Sequence, residues 1–175
     1  AAMANVTISC SSSGSTVTVS YVATEDANKP RAMGLNITAD SGATISNVTP
    51  LSTGVNGYWV FPGTYGIDVN ATTGLIDGTG TPVADPCQHP DTLSALNAIT
   101  VEMGSLHYPA AVNSVNAPGL AGDLLSFDVT GTGTINVTIA GNAIRGNVVN
   151  YAAGAADAAY TGCQVVVGPV GCGTC

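Results

Sequence analysis

The chain of 175 residues carries few charges, since only 8% of its residues are charged, against roughly 25% in ordinary globular proteins. Three basic residues stand against eleven acidic ones, and the formal net charge is −8. These numbers argue against a basic patch that would bind nucleic acid or anionic lipid, and no apolar run approaches the ~18 residues of a membrane-spanning helix.

The N-terminal residues read AAMANVT, with neither an initiator methionine nor a basic stretch. This is typical of a mature end left by signal-peptide cleavage. Five cysteines with almost no lysine suit an oxidising compartment. We therefore expect a secreted protein that is located outside the cell or at the cell surface.

Alternation of β-branched and polar residues predicts strands along much of the chain. In NVTISC, the side chains of Val6, Ile8 and Cys10 share one face. After the turn SSSGS, the stretch TVTVSYVAT repeats the alternation, so the two runs together predict a β-hairpin. Further strands are predicted in AMGLNITAD, GYWVFPG, ITVEMGS, DLLSFDVT, TINVTIA and CQVVVG.

Helix is nearly absent from the pattern, apart from one helical turn predicted at residues 91–96 with Asp91 as its N-cap. Turn clusters such as TEDANKPR and VNAPGLAGD separate the strands. This organisation predicts an all-β fold, a single β-sandwich of jelly-roll type with little helix. The sandwich is expected over residues 1–162, and the last strand with a cysteine-rich C-terminal tail over residues 163–175.

Five stretches between residues 5 and 150 have a familiar pattern, and they read VTVSYVATEDANKPRAMGLNITADSGATI, YWVFPGT, GTPVADP, ITVEMGSLHYP and GDLLSFDVTGTGTINVTIAGNAIRGNVV. Together they resemble the cohesin-like β-sandwich domains of secreted bacterial proteins, especially those of planctomycetes. The resemblance implies a nine-stranded jelly-roll sandwich and a non-catalytic role in extracellular assembly. The cysteine-rich end departs from that family, and its dockerin-recognition surface cannot be matched residue by residue, so no binding site carries over.

Sequons for N-glycosylation occur several times, and three of their asparagines fall on the outward faces of predicted strands. A glycan at such a position would cover a sheet face. Alternatively, strands that alternate Asn and Thr produce the motif by composition alone. The candidate asparagines are Asn5, Asn36, Asn47, Asn70 and Asn136.

Metal binding has two candidate sets, although no cofactor is expected. Turn carboxylates in acidic secreted sandwiches suit calcium, and the candidates are Asp77, Asp85 and Asp91, without an EF-hand or nonapeptide pattern. Zinc would use Cys87, His89 and Asp91, with His107 as a further ligand, but their spacing is irregular and lacks the two spaced pairs typical of zinc sites.

Catalytic motifs are lacking, since the sequence has no G-x-S-x-G elbow and only two glutamates, Glu25 and Glu102. The protein is therefore not expected to be an enzyme. Tyr58 or Trp59 could form a small sugar-binding platform, while the competing interpretation places Trp59 and Phe61 in the core.

The cysteines are odd in number, so they cannot all pair within one chain. A Cys172–Cys175 disulfide and a link from the tail to Cys10 both remain open, and the unpaired thiol could join a second molecule. The candidates for disulfides are Cys10, Cys87, Cys163, Cys172 and Cys175.

Two functional hypotheses follow from these observations. The preferred one is a non-catalytic structural subunit that self-assembles into an extracellular filament, sheath or matrix, stabilised by disulfides and glycans, with copies of itself as partners. The second is a cohesin-like binding module that recognises a dockerin-like partner or a polysaccharide. The charge-poor composition and the odd cysteine favour the first hypothesis.

Overall fold

A computed structural model describes eight segments of the chain, and these segments contain β-strands and no α-helix. The strands form two sheets whose buried faces share one hydrophobic core. The described segments are residues 6–25, 28–40, 42–51, 58–60, 93–105, 118–140, 148–150 and 160–168.

The first sheet has five strands, which are β1 (Val6–Ser13), β2 (Thr16–Ala23), β4 (Thr44–Pro50), β8 (Ala121–Thr130) and β11 (Tyr160–Thr161). Their order across the sheet is β11-β1-β2-β8-β4. Neighbouring strands run antiparallel, except that β11 runs parallel to β1.

The second sheet has seven strands, which are β3 (Pro30–Ala39), β5 (Tyr58–Val60), β6 (Ser94–Ala95), β7 (Ala98–Ser105), β9 (Gly133–Ile139), β10 (Val148–Asn150) and β12 (Cys163–Val167). Five of them follow the order β12-β9-β3-β7-β5, while β10 pairs with β3 and β6 with β7. All pairings in this sheet are antiparallel.

The predicted all-β class and sandwich architecture are confirmed by these two sheets. The described segments hold twelve strands rather than about nine, and three of those that the pattern did not predict, β6, β10 and β11, have only two or three residues. Such short pairings leave no visible alternation in a sequence. The predicted helical turn at residues 91–96 is wrong at Ser94–Ala95, which pair with β7 as strand β6.

The predicted hairpin of β1 and β2 is confirmed, with Ser13 opposite Thr16 at its closed end. Gly14 adopts a φ of +62° in the two-residue turn, whereas Ser15 does not have a positive φ. This is the arrangement of a type II′ turn, which requires glycine at its first central position and matches the twist of the strands.

The hydrophobic core lies between the sheets and is supplied by the inward positions of both. From the first sheet, Tyr21 and Phe127 are the largest buried side chains, and from the second, Leu35 and Ile37 are fully buried. Complete burial of one such aliphatic or aromatic side chain contributes about 1.5–3 kcal/mol. The core therefore fixes which faces of the two sheets point outward.

Candidate functional site

A disulfide joins Cys10 of β1 to Cys163 of β12, with a Cα–Cα distance of 5.7 Å. Since these strands belong to different sheets, the bond connects the two layers of the sandwich. The sequence left the partner of Cys10 open, and the structure gives it as Cys163, the first residue of the last strand. Cys87, Cys172 and Cys175 lie outside the described residues.

The chain changes sheets immediately before this disulfide. Tyr160–Thr161 pairs with β1 in one sheet, and Cys163–Val167 pairs with β9 in the other, with Gly162 between them. A Cβ atom at Gly162 would collide with the backbone oxygen of Val137. The crossing therefore requires glycine, and it brings Cys163 to the layer edge where Cys10 lies.

The outward side of β3, β9 and β12 carries a group of uncharged polar side chains, which we call the amide face. Its register places Thr38 opposite Asn136, and Asn136 opposite Gln164. Gln164 donates from Nε2 to Oδ1 of Asn136 over 2.7 Å. The amide face consists of Asn36, Thr38, Asn136, Thr138 and Gln164.

The outward surface of this sheet is buried at β7, next to the amide face. Thr100 donates its hydroxyl to Oδ1 of Asn36 over 2.6 Å and accepts the N–H of Leu93 over 2.8 Å. Both Thr100 and Glu102 are buried, although they occupy outward positions of β7. The amide face is therefore accessible toward β9 and β12, where Thr138 and Gln164 are exposed.

Sequence reasoning did not identify this buried polar pair. Thr100 and Glu102 alternate with buried Val101 and Met103 in ITVEMGS, so alternation alone would place them on the solvent side of the strand. Their burial depends on what packs over the sheet, and a period of two carries no signal for that.

The outward side of the other sheet is built mainly from serine and threonine, and we call it the hydroxyl face. Its two carboxylates are held by cross-strand hydrogen bonds, from Ser20 to Asp123 over 2.6 Å and from Thr16 to Asp128 over 2.7 Å. The hydroxyl-bearing residues are Thr7, Ser9, Ser11, Ser13, Thr16, Thr18, Ser20, Thr44, Ser46, Thr49, Ser126, Thr130 and Thr161.

Asp128 joins three strands of the hydroxyl face. Besides the bond from Thr16, its Oδ2 accepts the Nδ2 of Asn47 over 2.9 Å, and Asn47 sits in a bulge of β4 with a φ of +50°. The amide of Asn47 and the hydroxyl of Thr16 hold the pKa of Asp128 below its ordinary value of 3.8.

Three of the predicted sequons can be placed. Asn36 and Asn136 lie on the amide face, and no hydrogen bond found among the described residues engages their Nδ2 atoms. Asn47 is exposed at the bulge, and its Nδ2 is bonded to Asp128. The sequons at Asn5 and Asn70 lie outside the described residues.

The remaining predicted sites are only partly within the described segments. Tyr58 and Trp59 form part of β5, opposite Ser105 and Gly104, while their side chains lie outside what the structure describes. The calcium candidates Asp77, Asp85 and Asp91 lie outside the described residues, as do the zinc candidates Cys87, His89 and His107.

The described residues contain no group of three or more His, Cys, Asp and Glu side chains placed to hold a metal ion. Nor does this part of the chain include a helix that is long and apolar enough to cross a membrane.

Comparison with known proteins found similar solved structures only, because no family model and no curated protein matches the chain. A chain of the CaDoc0917–CaCohA2 complex is 16% identical, with a TM-score of 0.45, and the match covers 93% of this chain and 99% of that one. A chain of the Coh-OlpC–Doc435 complex from Clostridium thermocellum is 8% identical, with a TM-score of 0.47 and coverage of 96% and 95%.

The second type II cohesin module of the ScaA scaffoldin of Acetivibrio cellulolyticus is 12% identical, with a TM-score of 0.42 and coverage of 91% and 92%. These structures are cohesin modules. The chain is thus similar to solved modules of the family that its sequence resembles. At such identities and TM-scores, the similarity transfers neither a partner nor a site to this chain.

Proposed function

We propose that this protein is a non-catalytic, secreted binding module that docks a protein partner against its amide face. The observation that carries this proposal is an accessible sheet surface of uncharged hydrogen-bonding side chains, several of which are already held in place. The disulfide between the two sheets supports secretion, because such bonds persist in oxidising compartments.

Hydrogen bonds that hold two asparagines of the amide face lower the conformational-entropy cost of binding a partner. Asn36 is held by Thr100 and Asn136 by Gln164, so these side chains lose little rotamer freedom when a partner arrives. Ordering one free polar side chain at an interface costs about 0.5–1.5 kcal/mol. The Oδ1 atoms of Asn36 and Asn136 already accept these hydrogen bonds. Their Nδ2 groups, which no hydrogen bond found among the described residues engages, can donate to a partner.

A protein partner suits this surface better than an anionic one or a crystalline polysaccharide. Non-obligate protein interfaces are largely neutral and contain about one hydrogen bond per 100–200 Å². The five residues of the amide face are uncharged and carry hydrogen-bonding groups, and none of them has an aromatic ring for sugar stacking. The sequence resemblance to cohesin-like domains makes a dockerin-like domain the first partner to test.

The similar structures give no support to self-assembly into a filament, which the sequence favoured. The amide face also constrains the glycosylation hypothesis. A glycan on Asn36 or Asn136 would occupy the surface that the partner needs, so modification at these positions and partner binding exclude each other.

Titration calorimetry with dockerin-like domains from the source organism tests the proposal. Thr138→Lys places a charge on the amide face, and we expect it to weaken binding at least ~10-fold, since an unpaired charge in an interface is costly. Thr7→Lys is the matched control, because Thr7 is equally exposed on the hydroxyl face. An effect of Thr7→Lys alone would contradict the assignment of the face, and no binding by any such domain would contradict the partner class.

A further inference from the structure

We propose that Thr100 is a positioning residue that holds the amide of Asn36 with its Nδ2 group outward, so that the partner must present a hydrogen-bond acceptor at this point. The proposal rests on the proposed function, in which the amide face meets the partner. Thr100 lies on β7 directly opposite Asn36 of β3. It cannot contact a partner itself, because it is only 4% exposed.

Two hydrogen bonds of the Thr100 hydroxyl determine where its proton points. The backbone N–H of Leu93 donates to Oγ1 over 2.8 Å, so one lone pair of this oxygen is occupied. Oδ1 of Asn36 lies 2.6 Å away and accepts the hydroxyl proton, and no other acceptor for it is found among the described residues. Because a buried hydroxyl that donates to nothing is costly, Oδ1 rather than Nδ2 stays turned toward Thr100.

The hairpin of β6 and β7 holds the Thr100 hydroxyl in place. Leu93 precedes β6, and its carbonyl accepts the backbone N–H of Thr100 over 3.1 Å, while its own N–H donates to the hydroxyl. A β-branched side chain also has few χ1 rotamers in a strand. Thr100 therefore has both its backbone and its hydroxyl fixed, and it provides a rigid support for Asn36.

An amide held in this way offers only donors to a partner. Asn36 is half-buried, and no hydrogen bond found among the described residues engages its Nδ2 group. A carbonyl or hydroxyl oxygen accepts from Nδ2, whereas a Lys or Arg side chain brings only further donors. The net charge of −8 disfavours a carboxylate of the partner, so a neutral oxygen such as a carbonyl fits best opposite Asn36.

The other fixed asparagine of the amide face lacks this constraint. Asn136 is bonded to Gln164 over 2.7 Å, and Gln164 is exposed. Since both side chains are primary amides, each can rotate by half a turn, and they then exchange donor and acceptor roles without losing the bond. Asn136 thus adapts to a donor or an acceptor, and discrimination between partner groups is expected at Asn36.

NMR relaxation of the free protein tests the positioning role without any partner. We expect a rigid Nδ2 group at Asn36 in the wild type and in Thr100→Ser, which keeps the hydroxyl. In Thr100→Val, its order parameter should fall below about 0.6, the range of flexible groups. The Nδ2 group of Asn136 is the internal control, because Gln164 holds it and a general loosening of the sheet would affect both asparagines.

Three results of this experiment would overturn the positioning role. The Nδ2 group of Asn36 could be flexible in the wild type, or equally rigid in Thr100→Val, or Asn136 could loosen as much as Asn36 does. The orientation is checked separately, since a strong NOE between the Nδ2 protons of Asn36 and the N–H proton of Leu93 would show the amide turned the other way.

Titration calorimetry tests the polarity with a dockerin-like domain that binds the wild type. Asn36→Leu removes the polar groups at similar volume, and Asn36→Asp replaces the donor by an acceptor. We expect Asn36→Leu to weaken binding about 10-fold and Asn36→Asp to weaken it more, because two acceptors then face each other. Thr7→Asp adds the same charge to the hydroxyl face and should leave binding unchanged.

An Asn36→Asp protein that binds as tightly as the wild type, or more tightly, would show a donor in the partner and contradict the proposed polarity. If no domain binds the wild type, the proposed function fails instead. The NMR measurements on the free protein still decide in that case whether Thr100 orients Asn36.

Discussion

Removing the Cys10–Cys163 disulfide should destabilise the protein more than any other change to two side chains described here. The bond spans 153 residues, and the loop-closure model then assigns it about 5 kcal/mol at 25 °C. Disulfides in proteins typically contribute 2–4 kcal/mol. Since whole domains are stable by only about 5–15 kcal/mol, we expect the Cys10→Ala, Cys163→Ala protein to be marginally folded.

Urea denaturation followed by circular dichroism measures the loss. The free energy of unfolding should fall by about 3–5 kcal/mol, and the m-value should rise because the unfolded chain is no longer held in a loop. Cys10→Ala and Cys163→Ala singly should each cost nearly as much as the double substitution, because either one breaks the same bond.

Both cysteines pack against the core, so replacing them also removes packing contacts. The single variants separate the contribution of the disulfide to the free energy of unfolding from the contribution of this packing. If the two single losses added up to the double loss, the effect would come from packing. A total loss below ~1 kcal/mol would refute the argument that the bond restricts the unfolded chain.

Two further predictions concern Asp128 and Gly162. Because hydrogen bonds lower the pKa of Asp128, its ionised form stabilises the fold above the unfolded pKa, and this contribution is lost as pH falls through the lower folded pKa. Asp128→Asn should flatten the acid limb of the stability–pH curve, and an NMR titration of Asp128 with a midpoint above 3.8 would contradict this. Gly162→Ala should cost about 1–3 kcal/mol by overpacking against Val137. Gly168→Ala, where an added Cβ meets nothing within 4 Å, should be nearly neutral in the same denaturation assay, and equal losses would contradict the clash.

Alternation in the sequence was sufficient to predict the faces of individual strands. Val6 and Ile8, which were predicted to share one face, are both buried, and so are Val17, Val19 and Tyr21, which continue the alternation in β2. Each of these strands has one face on the core and the other outward, and that is the condition under which a period of two is visible.

Long-range pairing was beyond the reach of the pattern. Nothing in the residues states that β2 lies beside β8 or that β12 returns to β9, because many antiparallel arrangements satisfy the same alternation. The Cys10–Cys163 bond depends on that arrangement, and spacing along the chain could not select it.

β-Bulges also limit what alternation in the sequence can predict about buried positions. Leu124 and Leu125 are adjacent and both buried, since the register between β2 and β8 shifts at this point. A strict period of two would have placed one of them in solvent.

The disulfide also determines how the sandwich responds to mechanical tension. A pull applied to the beginning of β1 and the end of β12 reaches Cys10 and Cys163 after a few residues of each strand have been drawn away. From that point, the load passes through a covalent bond and bypasses everything between these two cysteines. Under such tension, the strands between Cys10 and Cys163 would therefore keep their arrangement while the chain ends carry the force.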